Sequence, residues 1–300
     1  MPIIKIMLIV SLGKSPSNAV FAALNAFLLP FEKNCVSLVD RIRRREVSIF
    51  CILNTRREII GVFTYSSGGQ ILHCIPSAVS HYSELLAILR IYFENFDLHS
   101  LFSVIGDEAG TNLLLSAIFL STKKLPASNQ SFFLMEYKVG KETAGDGLKI
   151  NAVCSNGKQA VYAANCPLNL LDALLPLQEA YEREEVLGDG QAYSPLRSKV
   201  ILKKSLAEKN VYAVFFYEQI VSKGAINATG QNCVQLGGIF TAPEFRKRGF
   251  AEFLIKQIVA VERKMGKHIV LFVKPKNVAA LTLYKRCGFS NFGRLKISYF

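Results

Sequence analysis

Two periodicities of apolar residues divide the chain into predicted strands and helices. Runs such as VYAVFFY (211–217) are rich in β-branched and aromatic residues and are bounded by turn residues, which predicts strands. A helical period predicts a helix near 250–266. Its apolar stripe consists of Leu254, Ile258, Val261 and Met265. Strands that alternate with helices indicate an α/β or α+β fold with mixed strand directions.

One order of elements occurs twice along the chain. In the first half, the pattern predicts helices near 15–29, 33–44, 80–94 and 111–122 and strands near 47–54, 58–66, 70–75, 101–105 and 130–138. In the second half, it predicts helices near 168–186, 193–206, 250–266 and 277–286 and strands near 149–155, 211–218, 221–228, 233–241, 268–274 and 288–300. Corresponding elements start 163 to 167 residues apart, which suggests a duplication.

A linker is predicted between the two halves. The segment VGKETAGDG (139–147) is charged, contains glycine and lacks apolar periodicity. A chain of 300 residues has the usual length of two domains. We therefore expect a first domain over 1–138 and a second domain over 148–300.

The composition excludes several classes of protein. Half of the residues are apolar and the mean hydropathy is +0.25, so the chain is not intrinsically disordered. Seven scattered cysteines without a C-x-x-C pair argue against a disulfide framework and favour the reducing cytoplasm. The four histidines lack metal-ligand spacing, so we expect no metal. The apolar amino end (MPIIKIMLIVSLGK) contains Lys5 and has no preceding basic segment, so a signal peptide is poorly supported and no membrane span is expected.

Positive charge is concentrated at the carboxyl end. Residues 241–300 contain 13 Lys and Arg residues against three acids, out of a net charge of +13 for the whole chain. Such a local field calls for an anionic partner. Nucleic acid, an anionic membrane and a phosphorylated small molecule remain open on charge alone.

A candidate phosphate-binding turn lies within this basic region. A predicted strand ends near Thr241, and Arg246-Lys247-Arg248-Gly249-Phe250-Ala251 leads directly into a helix. Gly249 allows a backbone conformation or a close approach that other residues do not. The unpaired first-turn amides and the positive end of the helix dipole then suit a pyrophosphate, while the three cations add charge. An ordinary basic loop that caps an amphipathic helix would show the same pattern.

A second segment, NVAALTLYKRCGF (277–289), follows the next predicted strand. Asn277 is in position to cap a short helix, and Tyr284 lies two turns further along nearly the same face. Gly288 ends that helix. Together, R-x-x-G-x-A and N-x-x-A-x-x-L-Y-x-x-x-G-F resemble the paired signature of the GNAT superfamily of acyl-CoA-dependent N-acetyltransferases. The resemblance is specific over about 211–289, with Ala251 in place of the more frequent glycine.

The resemblance implies a fold and a cofactor site. The fold is a tandem of GNAT-like units, each with a mixed, mostly antiparallel sheet flanked by helices. In such proteins the central strand, here 233–241, splays from the next strand, here 268–274, and the pantetheine arm of acetyl-CoA fits the gap. The backbone of Phe240 and Thr241 would hold the pantetheine, Asn277 would contact the cofactor near the thioester, and an amide near Ile239 could polarise the thioester carbonyl. The pyrophosphate would be held by Arg246, Lys247, Arg248, Gly249, Phe250 and Ala251.

The resemblance also implies direct attack by a neutral amine on the acyl thioester. Tyr284 occupies the position that commonly protonates the departing CoA thiolate, although a packing role under the sheet is the alternative. The base is not identified: Glu184 and Glu185 are candidates, but they also fit a solvated helix face. Cys287 is interpreted as a small buried residue and not as a nucleophile. The acceptor, a small molecule or a peptide, remains open.

The first half lacks this chemistry. HCIPSAVSHYSELLAIL (73–89) contains no R-x-x-G-x-A turn, and no Arg or Lys occurs between Arg57 and Arg90. GTNLLLSAIFLS (110–121) lacks the Tyr. We therefore expect a degenerate half that binds no CoA and that shapes the substrate cleft or serves as a scaffold.

Two other classes of function compete with an acetyltransferase. One is a non-catalytic module that binds acyl-CoA as a ligand or sensor, which differs from an enzyme only in residues outside the phosphate turn. The other is a nucleic-acid-binding protein, which should show aromatic residues interleaved on a basic face or a recognised motif. Neither feature is present, so we expect no nucleic-acid partner and no membrane partner.

Overall fold

The computed structural model describes residues 7–138, 161–187 and 192–300. The predicted linker 139–147 and the predicted strand near 149–155 lie outside the described residues. The first half contains β1 (Leu8–Gly13), α1 (Asn18–Leu28), α2 (Val36–Arg43), β2 (Ser48–Leu53), β3 (Ile59–Tyr65), β4 (Gln70–Cys74), α3 (Tyr82–Glu94), β5 (Ser103–Asp107), α4 (Glu108–Thr122) and β6 (Ser128–Tyr137). The second half contains β7 (Val161–Asn165), α5 (Leu171–Tyr181), α6 (Pro195–Ala207), β8 (Val211–Phe216), β9 (Gln219–Thr229), β10 (Cys233–Thr241), α7 (Phe250–Lys264), β11 (His268–Val273), α8 (Val278–Arg286) and β12 (Phe289–Tyr299).

The two halves have the same order of elements, β-α-α-β-β-β-α-β-α-β. Two strands were not predicted. β1 lies in the apolar amino end and pairs antiparallel with β2, from Leu8 opposite Leu53 onward. β7 occupies the corresponding place in the second half and pairs antiparallel with β8. The repeat is therefore more regular in the structure than in the sequence pattern.

The strands form one sheet, not two separate sheets. Their order is β1-β2-β3-β4-β5-β12-β6-β11-β10-β9-β8-β7, and the only parallel pairs among the described strands are β4–β5 and β10–β11. The last strand of each half is exchanged. β12 pairs with β5 of the first half, whereas β6 pairs with β11 of the second half. β6 and β12 pair with each other along ten registered residue pairs at the centre of the sheet.

Helices cover both faces of this sheet. Helices α1, α2, α5 and α6 pack on one face, and α3, α4, α7 and α8 pack on the other. The core beneath α7 and α8 contains Met135 of β6, so the first half contributes directly to the core of the second. No helix of the described residues is long and apolar enough to cross a membrane.

The buried face of α7 differs from the predicted stripe. Leu254 and Ile258 are fully buried, as expected, but Val261 and Met265 are 40% and 58% exposed. At about 100° per residue, Ile255 and Val259 lie about 100° and 140° around the helix from Leu254, so the covered face is centred to one side of the stripe. Val261 lies about 20° to the other side, at the edge of that face, and Met265 follows the last helical residue, Lys264. Ile255 and Val259 are buried in place of the last two members of the stripe.

On the side of the sheet that α2 covers, charged side chains of the first half form hydrogen bonds with residues of the second half. The buried carboxylate of Glu32 accepts hydrogen bonds from the backbone amide of Asn232 at 3.0 and 3.1 Å. Arg43 donates to the carbonyl of Gly230 at 2.6 Å, and Arg44 pairs with Glu208 through two hydrogen bonds. A buried carboxylate needs such partners, because an unpaired one would carry a large desolvation cost.

We predict that Met135→Ala lowers the stability of the whole chain in one cooperative transition. Met135 lies in β6 of the first half and is fully buried in the core beneath α7. Removing such a side chain should cost about 2–5 kcal/mol. Scanning calorimetry should show a single shifted transition, and Leu125→Ala, at a position that is 69% exposed, should change little. Two separate transitions, of which one keeps its wild-type temperature, would contradict the shared core.

Candidate functional site

A crevice opens where β10 and β11 part. The two strands pair in parallel from Cys233 opposite His268 to Leu236 opposite Leu271. Beyond this point β10 stays paired with β9, and β11 stays paired with β6 through Val273. The facing backbone edges of the two strands are therefore not joined to each other beyond Leu236. This is the splay that the resemblance implies, and a ligand with amide groups could bind there like an added strand.

An irregularity in β10 lies directly beside the opening of the crevice. The register of β10 against β9 shifts between Gly237 and Phe240. Gly238 adopts φ +61°, a left-handed conformation that favours glycine. A bulge of this kind redirects backbone groups away from the ladder. It therefore changes where the peptide groups near Ile239 point, which is the place where the sequence predicts an amide donor.

The predicted turn precedes α7 as expected. Gly249 adopts φ +83° and is the residue before the first helical residue, Phe250. Only glycine adopts this conformation without a steric cost of about 1–2 kcal/mol. The helix that follows runs for 15 residues, so its free first-turn amides and the positive end of its dipole are suited to an anion. Ala251, next along the helix, is half-buried.

Two of the three cations of the turn already have partners. Arg246 donates to Glu184 at 2.7 Å and to the carbonyl of Thr241 at 3.1 Å, and its guanidinium lies 5.1 Å from the ring centroid of Phe240. Arg248 lies over the rings of Phe216, Phe245 and Phe250 at 4.7, 5.4 and 5.2 Å. Stacking holds Arg248 at the turn without neutralising its charge. Arg246 can bind a phosphate only in competition with Glu184.

The strand residues of the predicted cofactor site lie on both faces of β10. The side chain of Ile239 packs against the core beneath α7. The buried ring of Phe240 lies on the other face, 6.2 Å from the ring of Tyr181. The hydroxyl of Thr241 is 2.9 Å from that of Ser222 on β9. The side chains are thereby fixed, and the backbone of this segment is what faces the crevice.

Asn277 and Glu185 meet at the other wall of the crevice. The side-chain oxygen of Asn277 accepts from the amide of Ala280 at 3.0 Å and caps α8, as the sequence predicts. Its side-chain nitrogen donates to the carboxylate of Glu185 at 2.9 Å. Lys274 donates to the backbone carbonyl of Glu185. The π-helical turn Glu182–Val186, which carries Glu184 and Glu185, thus contacts both the turn 246–251 and the start of α8.

Tyr284 is buried within the core beneath α7 and α8. It is 8% exposed, and its ring centroid is 6.0 Å from that of Phe289. Burial raises the pKa of Tyr284 well above its usual range, and Tyr181 and Glu185 raise it further. The phenol therefore keeps its proton at neutral pH, the state that a proton donor requires. Cys287, three residues on, is buried too, and burial raises the pKa of its thiol to about 12, which disfavours a nucleophilic role.

The sequence patterns did not single out Lys223 and Tyr181. Lys223 lies on β9 opposite Phe240, is 3% exposed, and donates from Nζ to the carbonyl of Gly238 at 3.1 Å. Its Nζ also lies 4.4 Å from the ring centroid of Tyr181. Burial lowers the pKa of Lys223 to about 7 and raises that of Tyr181 to about 12. The sequence does contain one signal for this site: Lys223 is the single charged residue in the apolar run QIVSKGAINA (219–228).

Both halves line a cavity on the opposite face from α7. It has a volume of about 180 Å³ and lies between α2 and the strands at the centre of the sheet. The hydroxyl of Ser37 on α2 donates to Gln235 of β10 at 3.1 Å across its edge. Gln235 and Phe272, which also line it, immediately flank the last parallel pair of β10 and β11. The cavity therefore reaches the point where the crevice begins.

The first half has the corresponding parting, but a side chain fills it. β4 and β5 pair in parallel only from Gln70 to Leu72. The imidazole of His73, 1% exposed, follows, and its Nε2 is 2.8 Å from the hydroxyl of Thr111. A Cβ atom on Gly106 would collide with this ring. Burial lowers the pKa of His73, which favours its neutral form. Residues 58–89 contain no Arg or Lys, so the first half has no counterpart of the basic turn 246–251 in this stretch.

Comparison with known proteins finds a family model that matches part of the second half. Residues 175–289 match the family model described as acetyltransferase (GNAT) family. The match contains the turn 246–251, Asn277 and Tyr284. The predicted GNAT resemblance is therefore confirmed for this part of the chain. A search of curated proteins found no significant match.

Solved structures show that the fold extends over nearly the whole chain. A GNAT-family acetyltransferase from Colwellia psychrerythraea aligns with a TM-score of 0.56 at 12% identity, over 97% of this chain and 99% of that one. A tandem GNAT protein from the clavulanic acid biosynthesis pathway aligns at 0.59 and 9% identity, over 98% of each chain. A Drosophila protein aligns at 0.64 and 12% identity, also over 98% of each chain. The tandem GNAT-like fold with a mostly antiparallel sheet is confirmed.

We predict that Glu184→Gln tightens CoA binding by about two- to five-fold. This is the change in affinity that corresponds to the free energy of one exposed ion pair. The substitution releases Arg246 from its 2.7 Å partner and removes a negative charge beside the phosphate turn. Isothermal titration with CoA measures the effect. Glu179→Gln, which removes the ion pair with Arg183 elsewhere on α5, is the matched control. Weaker CoA binding in Glu184→Gln would show that the carboxylate supports the site and does not compete with it.

Proposed function

We propose that the chain is an N-acetyltransferase that moves the acetyl group of acetyl-CoA to a primary amine by direct attack. The observation that carries this proposal is the coincidence of two features at one end of β10: the parting from β11 after Leu236, and the turn with Gly249 at φ +83° that opens α7. The first suits an extended amide chain and the second suits a pyrophosphate. Acetyl-CoA carries both groups in sequence.

The residues present fit this co-substrate in charge and in hydrogen-bonding capacity. The backbone of Phe240 and Thr241 would hold the pantetheine arm at the exposed edge of β10. The amides of Gly249 to Ala251 and the cations Arg246, Lys247 and Arg248 would hold the pyrophosphate. Asn277 would contact the cofactor from the opposite wall, where it now binds Glu185. The phosphorylated small molecule is thus the anionic partner that we favour for the basic carboxyl end.

The chemistry assigns separate roles to the two sides of the crevice. An amide at Ile239 would stabilise the oxyanion that forms as the amine attacks the thioester carbonyl. Tyr284, whose pKa is raised by burial, would give its proton to the departing thiolate. Glu185 is the better placed of the two candidate bases, because its charge acts on Tyr284 whereas Glu184 is paired with Arg246. The amine would approach from the cavity that both halves line.

We predict that acetyl-CoA stabilises the protein and that Gly249→Trp abolishes the effect. At 100 times Kd, a ligand of the folded state adds about 2.7 kcal/mol. A bulky side chain at Gly249 would block the first-turn amides. Differential scanning fluorimetry at millimolar acetyl-CoA measures the shift.

The control for this prediction is Gly266→Trp. Gly266 has a similar φ of +74°, follows the other end of α7, and has open space around it. This variant should suffer the same backbone strain and still respond to acetyl-CoA. The absence of any shift in the wild-type protein would refute the proposed cofactor, and an equal loss of response in both variants would point to general destabilisation.

We predict that Tyr284→Phe lowers kcat by about 10²- to 10⁴-fold, the usual contribution of a general acid. The dissociation constant for acetyl-CoA should change little, because the ring that packs against Phe289 is retained. Release of free CoA thiol with a panel of amines measures kcat, and calorimetry measures binding. An unchanged kcat would assign proton delivery to water. Binding without turnover for every amine would favour a non-catalytic acyl-CoA module.

A further inference from the structure

A buried lysine lies beside the crevice without a role in the proposed chemistry. Lys223 is the sole charged residue of β9 and is 3% exposed. Taking an ammonium group out of water is costly, so a buried lysine is retained where it has specific partners. Its partners here are the carbonyl of Gly238 at 3.1 Å and the face of the Tyr181 ring at 4.4 Å.

The carbonyl that Lys223 binds belongs to the bulge of β10. Gly238 lies between Gly237 and Phe240, where the register against β9 shifts, and its φ is +61°. A bulged peptide group lacks the regular ladder that fixes its neighbours. The hydrogen bond from Lys223 Nζ therefore supplies a fixed partner for this peptide group from the side of β9.

The same peptide group carries the amide of Ile239. The described peptide bonds are trans, and in a trans peptide the C=O and N–H bonds point in opposite directions. Ala242 donates its amide to the carbonyl of Val221 on β9, and Phe240 pairs with Lys223. Backbone groups of successive residues in a strand point to opposite edges, so the amide of Ile239 lies at the edge away from β9. On that side β10 has already parted from β11. The amide of Ile239 is thus directed to the crevice.

We propose that Lys223 is a positioning residue for acetyl transfer: by binding the carbonyl of Gly238 it fixes and polarises the Gly238–Ile239 peptide, so that the Ile239 amide donates to the thioester carbonyl. This inference rests on the proposed function, since it requires acetyl-CoA in the crevice. Lys223 itself touches neither the thioester nor the amine.

The charge of Lys223 acts on the thioester through one peptide group, and we call this effect the relay. A hydrogen bond accepted by a carbonyl makes the N–H of the same peptide a stronger donor, and a charged donor has a larger effect than a neutral one. A stronger and better-directed donor stabilises the oxyanion more than the ground-state carbonyl. Loss of Lys223 should therefore reduce kcat by about 10-fold and leave the Kd for acetyl-CoA within about two-fold.

The protonation state of Lys223 makes the relay depend on pH. The groups that act on it are Tyr181 from α5 and Glu182 from the π-helical turn, and Tyr181 is in turn close to Glu185 and Tyr284. Burial lowers the pKa of Lys223 to about 7, so the ammonium form is present below this pH and is lost as the pH rises through it. Both tyrosines keep their protons throughout that range. Polarisation should be strongest near pH 6 and weakest near pH 8.5.

The test is the infrared stretch of the thioester carbonyl in acetyl-CoA labelled with ¹³C at that carbon and bound to the full chain. It needs no acceptor. In the wild-type protein the stretch should lie at a lower wavenumber than in Lys223→Met, which retains the side-chain length without a donor. Lys223→Gln, which keeps an uncharged donor, should be intermediate. Raising the pH from 6 to 8.5 should move the wild-type stretch toward the Lys223→Met value, and the stretch in Lys223→Met should stay constant.

Ser222→Ala is the matched control. Ser222 is the neighbouring residue on β9, is fully buried, and donates to the carbonyl of Phe240 at 3.1 Å, which belongs to a different peptide group. Its loss should leave the carbonyl stretch at the wild-type value. An equal shift in Ser222→Ala and Lys223→Met would overturn the inference, because it would indicate a general loosening of β9.

Three further results would also overturn it. The first is an identical stretch in the wild-type protein and Lys223→Met, both with acetyl-CoA bound. The second is acetylation of Lys223 found by mass spectrometry after incubation with acetyl-CoA, which would make this lysine an acceptor and not a positioning residue. The third is the absence of acetyl-CoA binding by calorimetry, which refutes the proposed function itself and is thereby distinguished from failure of the inference alone.

Discussion

The exchange of the last strand between the halves is the constraint on which the candidate site depends. β11 pairs with β10 only as far as Leu271, but it pairs with β6 as far as Val273. β6 comes from the first half, and Phe133 and Leu134 hold the end of β11 on the side away from β10. The width of the crevice is therefore set by a strand that lies outside the sequence of the second half. The first half is thus needed for the geometry of the candidate site.

The site combines groups from both faces of the sheet because the sheet is open there. Tyr181 and Glu185 come from the α5 face, whereas Tyr284 belongs to the core beneath α7 and α8. Strands that remained paired would separate these groups by a continuous layer of backbone. Instead, Glu185 and Tyr181 act on the pKa of Tyr284, and Asn277 bonds directly to Glu185. One break in strand pairing thus creates both the crevice and the electrostatic coupling around it.

The sequence predicted the local parts of this site and missed those that depend on long-range pairing. The turn with Gly249, the cap by Asn277 and the short helix with Tyr284 were found because each is encoded within a few neighbouring residues. Strand exchange was not found, since nothing in the pattern of β6 specifies β11 as its partner. Lys223 and His73 were missed for a similar reason, because each is a lone polar residue in an apolar strand. The role of Lys223 depends on its contact with the Gly238 carbonyl, and that of His73 on its contact with the Gly106 backbone, and neither contact can be read from the sequence.

The strand order is symmetric about the line between β12 and β6, with β1 to β5 on one side and β7 to β11 on the other. This is the arrangement that two identical single-unit chains would adopt as a homodimer with swapped terminal strands, in which a two-fold axis makes both crevices equivalent. Joining two such chains into one removes the requirement that both sites be the same. An ancestor of this kind could fill one of its two partings with a side chain such as that of His73 and still retain the shared sheet that keeps the other parting open.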